Sequence, residues 1–148
     1  MNYTFTGETK EIRGITVRRI KYDDGTIGGW IEKEENLDKS GKCQVLDEAV
    51  IFGDARVNGN AVVHSCAMVY GNASVFGNAM IHGNAKVYGF AIISGNAIIS
   101  GNAMVYDNAR VYDNARIHEE AQVFGATWVF GDAKVGGFGI IGGSAMLC

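Results

Sequence analysis

Val69-Tyr70-Gly71-Asn72-Ala73-Ser74-Val75-Phe76-Gly77-Asn78-Ala79-Met80 is one six-residue phrase written twice. The step continues in both directions without an insertion. From Val45 to Leu147 every sixth residue is aliphatic, eighteen times in succession. Four residues after each aliphatic position stands a small residue, Ala from Ala49 to Ala145 except at Thr127 and Gly139. A period of six matches neither a helix nor a flat strand, and it is the mark of a β-solenoid.

Side-chain alternation along a strand assigns the places within each phrase. The aliphatic residue points inward, and its two neighbours, such as Met68 and Tyr70 around Val69, point outward. Gly-Asn supplies the corner, because Gly is free to take positive φ and Asn tolerates it next best. Asp-Asn replaces it at Asp107-Asn108 and Asp113-Asn114. The small residue after the corner points inward, where the walls converge and a methyl group fits. Abundant Gly and the absence of Pro suit many tight turns between fully paired strands.

At 148 residues the chain is one domain, or one repeat array with a cap. A net charge of −3 implies no general attraction to nucleic acid or to a membrane surface. No apolar stretch approaches the ~20 residues that span a bilayer, and the polar start MNYTFTGETKEIRG lacks the apolar core of a secretory signal. Cys43, Cys66 and Cys148 follow no metal-ligand spacing and read as reduced thiols of a cytoplasmic protein. Cys43 stands two before Val45, in the small-residue place, and is expected to be buried there as an Ala substitute.

Hexads of the form aliphatic-x-Gly-Asn-Ala-x resemble the hexapeptide repeat of left-handed parallel β-helices. The resemblance implies an all-β fold with three hexads per turn, a triangular section and left-handed coiling, so that eighteen hexads make about six turns. Gly28-Gly29-Trp30-Ile31-Glu32, with Asn36-Leu37 before the repeats, is more specifically similar to the YdcK-like hexapeptide-repeat proteins. These occur in bacteria and in phage or prophage genomes and are often labelled acyltransferases.

Residues 1–42 are not repeats and read as an N-terminal β-hairpin cap on the hexapeptide-repeat β-helix of residues 43–148. Ile12 to Tyr22 reads as a strand, Asp23-Asp24-Gly25 as a tight turn and Thr26 to Ile31 as the return. A solenoid needs its first coil covered, and Trp30 and Ile31 are expected to pack on the open end near Val45. At the other end the reading leaves the Gly-rich last coil either fraying or covered by a partner.

With three hexads per turn, residues eighteen apart stack, and each face displays two outward columns. The first face places His64, His82 and His118 in one column. That column is read as a surface or interface ladder; the sharper alternative is a metal site or a general base. The second face carries Phe52, Tyr70, Tyr88, Tyr106 and Phe124 beside Met68 and Met104. Stacked rings stabilise a sheet, but an apolar flank of this extent marks an interface. On the third face Arg110, Tyr112, Trp128 and Phe130 cluster, either as surface cation–π packing or as a hot spot for a protein partner.

The expectation drawn from these columns is a non-catalytic scaffold or interaction module. It associates with itself as a dimer or trimer, or with another protein, through the aromatic face. A phage structural piece or an inhibitor of a host protein fits this description, with no cofactor, metal, nucleic acid or membrane. The alternative, from the resemblance, is a trimeric acyl-CoA-dependent acyltransferase with His64, His82 or His118 at subunit junctions. No hexad is interrupted by a loop that would wall an active site, which weighs against it. Thr-poor faces and outward columns nearly free of Asp and Glu argue against ice binding and DNA mimicry.

Overall fold

The computed structural model describes residues 2–148. Three strands come first: β1 (Tyr3–Ile12), β2 (Ile15–Tyr22) and β3 (Ile27–Ile31). A short 3-10 turn at Glu34–Asn36 follows, and then eighteen two-residue strands at six-residue steps, from β4 (Gln44–Val45) and β5 (Val50–Ile51) to β21 (Met146–Leu147). Each short strand pairs in parallel with the strand eighteen residues away, as in Val45↔Val63, Ile81↔Ile99 and Val111↔Val129. The strands therefore stack into three sheets and form a three-sided parallel β-solenoid.

The six-residue period dictates this arrangement. Main-chain N–H groups of one coil donate to carbonyls of the next, as in Met80 N to Ala97 O at 3.0 Å and His82 N to Ile99 O at 2.9 Å. The corners join in, with Asn78 N donating to Gly95 O at 2.8 Å. The aliphatic column from Val45 to Val129 and its Ala companions are buried. In the last coil Ile141 and Leu147 are only half buried, and Phe138, Ile140 and Met146 are exposed.

Corner geometry explains which residues interrupt the glycines. Gly95 has φ 62°, and a Cβ there would lie 2.7 Å from the main-chain nitrogen of Asp113. Asp113 itself holds φ 55°, and its carboxylate accepts the N–H of Gly131 at 3.1 Å. Asp107 does the same for Gly125 at 3.2 Å and Asp47 for Ser65 at 3.0 Å. An aspartate in this place offsets its left-handed backbone by accepting an N–H that the coil-to-coil ladder leaves over. Asp113→Ala should therefore lower stability by about 1 kcal/mol in urea denaturation while Asp113→Asn, which keeps an acceptor oxygen, stays near wild type. One corner also carries an amide ladder, Asn60 to Asn78 to Asn96 to Asn114 to Asp132, with links of 3.2–3.3 Å.

The N-terminal segment departs from the expected single strand over Ile12–Tyr22. β1 and β2 form an antiparallel hairpin turned at Arg13-Gly14, both with positive φ. Only Gly14 signals that turn in the sequence, since Arg is not a residue that favours positive φ, and β1 has few apolar residues to mark it. β3 pairs antiparallel with β2 and parallel with β5, through Trp30↔Val50 and Ile31↔Ile51. Leu37 then bridges Val57. Coiling thus begins a partial coil ahead of Val45, giving about 7 turns. From Leu37 to Val45 the chain takes eight residues instead of six, which hides this lead-in coil from a scan at period six.

The hairpin presents two different faces. Tyr3, Ile20 and Tyr22 pack with Ile31, Leu37, Cys43 and Val45. The Tyr22 hydroxyl accepts from Val45 N–H at 2.7 Å and donates to Val45 O at 3.2 Å, and burial pushes its pKa up to about 12. Gly29 passes so close to the first coil that a Cβ would lie 2.5 Å from Ala49 O. Trp30 does not cover Val45: it lies on the outside of the second face with Val17, Val50 and Phe52, while Ile31 points inward. Cys43 is buried, with Sγ 3.2 Å from Asp38 O, and burial pushes its thiol pKa up. Among the described residues no helix is long and apolar enough to cross a membrane.

Candidate functional site

The outward columns become three distinct surfaces. On the second face the rings of Phe52, Tyr70, Tyr88, Tyr106 and Phe124 form one continuous stack, with centroid spacings of 4.8, 4.9, 4.9 and 5.2 Å and planes within 9° of parallel. Parallel pairing one coil apart imposes the spacing, because equivalent side chains of adjacent strands are held about 4.8 Å apart. Tyr106 adds a hydroxyl bond to Gln122 at 3.3 Å. Partial burial, then the neighbouring Tyr70 and Tyr106, pushes the Tyr88 phenol pKa upward.

The N-terminal rungs of this stack are already occupied by the chain itself. Val50 and Phe52 are buried beneath the hairpin, and Ile12 and Ile15 pack against the cluster they form with Val17 and Trp30. Met68 and Tyr70 are the last rungs the hairpin reaches, with the Arg13 guanidinium 4.8 Å from the centre of the Tyr70 ring. Tyr88, Met104, Tyr106 and Phe124 continue the same lane half-exposed beyond it. Sequence reasoning placed Phe52, Met68, Tyr70, Tyr88, Met104, Tyr106 and Phe124 on one face but had no signal for the β1–β2 pairing that divides them into a covered and an open part.

On the first face His64 and His82 stack at 4.9 Å, and His118 stands apart because Ser100 interrupts the column. Burial, then the neighbouring His64, pushes the His82 pKa down. His64 Nδ1 lies 3.0 Å from Ser65 Oγ and 3.9 Å from Asp47 Oδ2. Ser65 was not legible as a neighbour of functional interest, since it occupies a corner place usually held by Gly. This trio does not form a nucleophilic relay: a relay needs serine and carboxylate on opposite ring nitrogens, and here both face the same one. His118 Nδ1 pairs with Glu119 at 3.2 Å, and the ring leans over Gly136, where a Cβ would collide with Cε1. Among the described residues no three His, Cys, Asp or Glu side chains converge as metal ligands would.

His82, Ile98, Ser100, Arg116, His118 and Lys134 line a shallow depression of about 540 Å³ on this face. The third face brings its expected cluster together. Tyr112 stacks on Phe130 at 5.3 Å and meets Trp128 edge-on at 6.5 Å, while Arg110 lies 5.5 Å from the Trp128 ring centre.

A family model described as the YdcK beta solenoid repeat matches residues 49–65 and 103–119. No curated protein matches the chain. Both matched segments lie within the uninterrupted hexads, and the strands they contain stack as the repeat requires. The protein is a parallel β-solenoid, two segments of which match the YdcK beta solenoid repeat.

Proposed function

We propose that the protein is a non-catalytic interaction module that docks a second protein surface, from another copy of the chain or from a partner, on the open rungs Tyr88, Met104, Tyr106 and Phe124. One observation carries this reading: the chain docks its own β1–β2 hairpin on the preceding rungs of the same lane, burying Phe52 and bringing Arg13 over Tyr70. The open rungs continue the same flat aromatic wall, flanked there by Lys86, Met104 and Gln122. A partner bringing an apolar edge and a cation would meet chemistry that the molecule already uses internally. A reducing, cytoplasmic setting suits the three free cysteines, and a phage-encoded role against a host protein remains within this reading.

The test is Tyr88→Lys with Tyr106→Lys. The pair places two amines on the open lane and leaves every inward residue in place. The mass by light scattering should fall to that of the monomer where the wild-type chain self-associates, and partner capture should fall at least about tenfold where it does not. Unchanged mass together with unchanged capture would overturn the proposal.

The second reading, an acyl-CoA-dependent transferase, draws on one feature: His82, its pKa pushed down by burial, lines the first-face depression where a general base would stand. It needs a trimer, because a single prism supplies no enclosed cleft, and a monomeric or dimeric mass excludes it.

A further inference from the structure

The first-face column is a ring stack with one rung missing. His64 and His82 are parallel at 4.9 Å, Ser100 contributes only a hydroxymethyl group, and His118 resumes the column one coil further on. Two coils separate His82 from His118, about 10 Å along the stack, which is the room one flat ring takes when it lies between two others at sheet spacing. The lean of His118 over Gly136 moves its ring away from Ser100 and opens the gap further.

The walls of the gap have a definite chemistry. Ile98 supplies an apolar side, and Arg116 and Lys134 stand beside the gap in the neighbouring column. Among the described residues neither cation has an acidic partner within ion-pair distance, and neither lies over a ring. The Ser100 hydroxyl also has no hydrogen-bond partner among the described residues. Glu119, at the corner, is engaged with His118 Nδ1, and Glu120 accepts from Asn102 at 2.6 Å. The third face makes an instructive contrast. Ser94 leaves a similar gap between Phe76 and Tyr112, but there the adjacent Arg110 is already committed to Trp128.

We propose that the Ser100 gap is a binding site for a planar aromatic carboxylate. The ring lies between His82 and His118 and restores the stack, while the carboxylate is held by Arg116, with Lys134 and the Ser100 hydroxyl in support. The site is on a different face from the protein-docking lane, so the two proposals stand or fall separately.

Naphthalene-2-carboxylate is the probe, titrated into the full chain with the histidine ring protons followed by NMR. Saturable binding is expected, with a dissociation constant on the order of 0.1–1 mM. The His82 and His118 ring protons should move upfield under the ring current of the probe, and those of His64 much less. Cyclohexanecarboxylate, charged but not flat, should bind at least about tenfold more weakly, and naphthalene-2-methanol, flat but uncharged, about fivefold more weakly or worse. Ser100→His fills the gap with the ring the column already uses and should weaken binding at least about tenfold without loss of fold. Ser94→Phe, the same kind of filling on the third face, should leave binding unchanged. Failure to saturate, equal binding by Ser100→His, loss of binding in Ser94→Phe, or equal binding of the non-planar acid would each overturn the proposal.

Discussion

Asn36→Leu should lower the stability of the protein by about 3–5 kcal/mol, although the two side chains are nearly equal in size. Asn36 is completely buried and makes three hydrogen bonds. Its amide nitrogen donates to Gly53 O at 3.0 Å and to Ala55 O at 2.9 Å, and its amide oxygen accepts Lys33 N–H at 2.9 Å. These bonds tie the lead-in coil to the first complete coil where the eight-residue spacing interrupts the regular ladder. Leucine leaves each of these main-chain groups without its partner in a buried or partly buried place, at about 1–3 kcal/mol apiece, and returns only part of that through apolar burial. Urea denaturation followed by tryptophan fluorescence in a Trp128→Phe background reads this end of the molecule through Trp30. A midpoint within error of the parent protein would show that the lead-in coil contributes nothing to stability.

Ile99→Ala should cost a similar amount, about 3–4 kcal/mol, for a different reason. Ile99 sits in the middle of its column between Ile81 and Ile117, fully buried, with ladder bonds holding the coils on both sides at fixed spacing. A cavity opened there has little means of collapsing, because closing it would require two parallel ladders to shorten. Ile141→Ala removes the same atoms in the last coil, where the side chain is only half buried, and should cost about 1 kcal/mol. Matched denaturation curves of the two variants check the gradient. Equal losses would mean that the array does not transmit packing from neighbour to neighbour as a stacked repeat does.

Much of the fold was legible in the residues. The alternation around Val69 and Ile99 placed Tyr70, Met68, Ile98 and Ser100 outside, and the structure has them there. The small-residue place predicted buried Ala and a buried Cys43. The corner glycines were read correctly, and the aspartates that replace them were recognised as corner residues but not as acceptors for an N–H one coil away. Asn36 was part of a recognised segment without any sign of its three bonds, since a single Asn before Leu reads equally well as a turn. The Arg13-Gly14 turn, and with it β1, was missed because only one of its two residues is of a type that favours positive φ.

The sequence by itself determined everything that depends on the six-residue step: which side chains are inside, which are outside, and where each corner falls. A repeat carries that information locally, so each hexad restates it and tertiary contacts have nothing to overrule. Only the tertiary structure decided which part of each face is open. The hairpin covers Phe52 and stops at Tyr70, His118 leans away from Ser100 over Gly136, and Arg116 stands unpaired where Arg110 does not. Those outcomes depend on contacts between segments that share no period, on glycines that leave room for a ring, and on side-chain rotations that a column of letters does not encode.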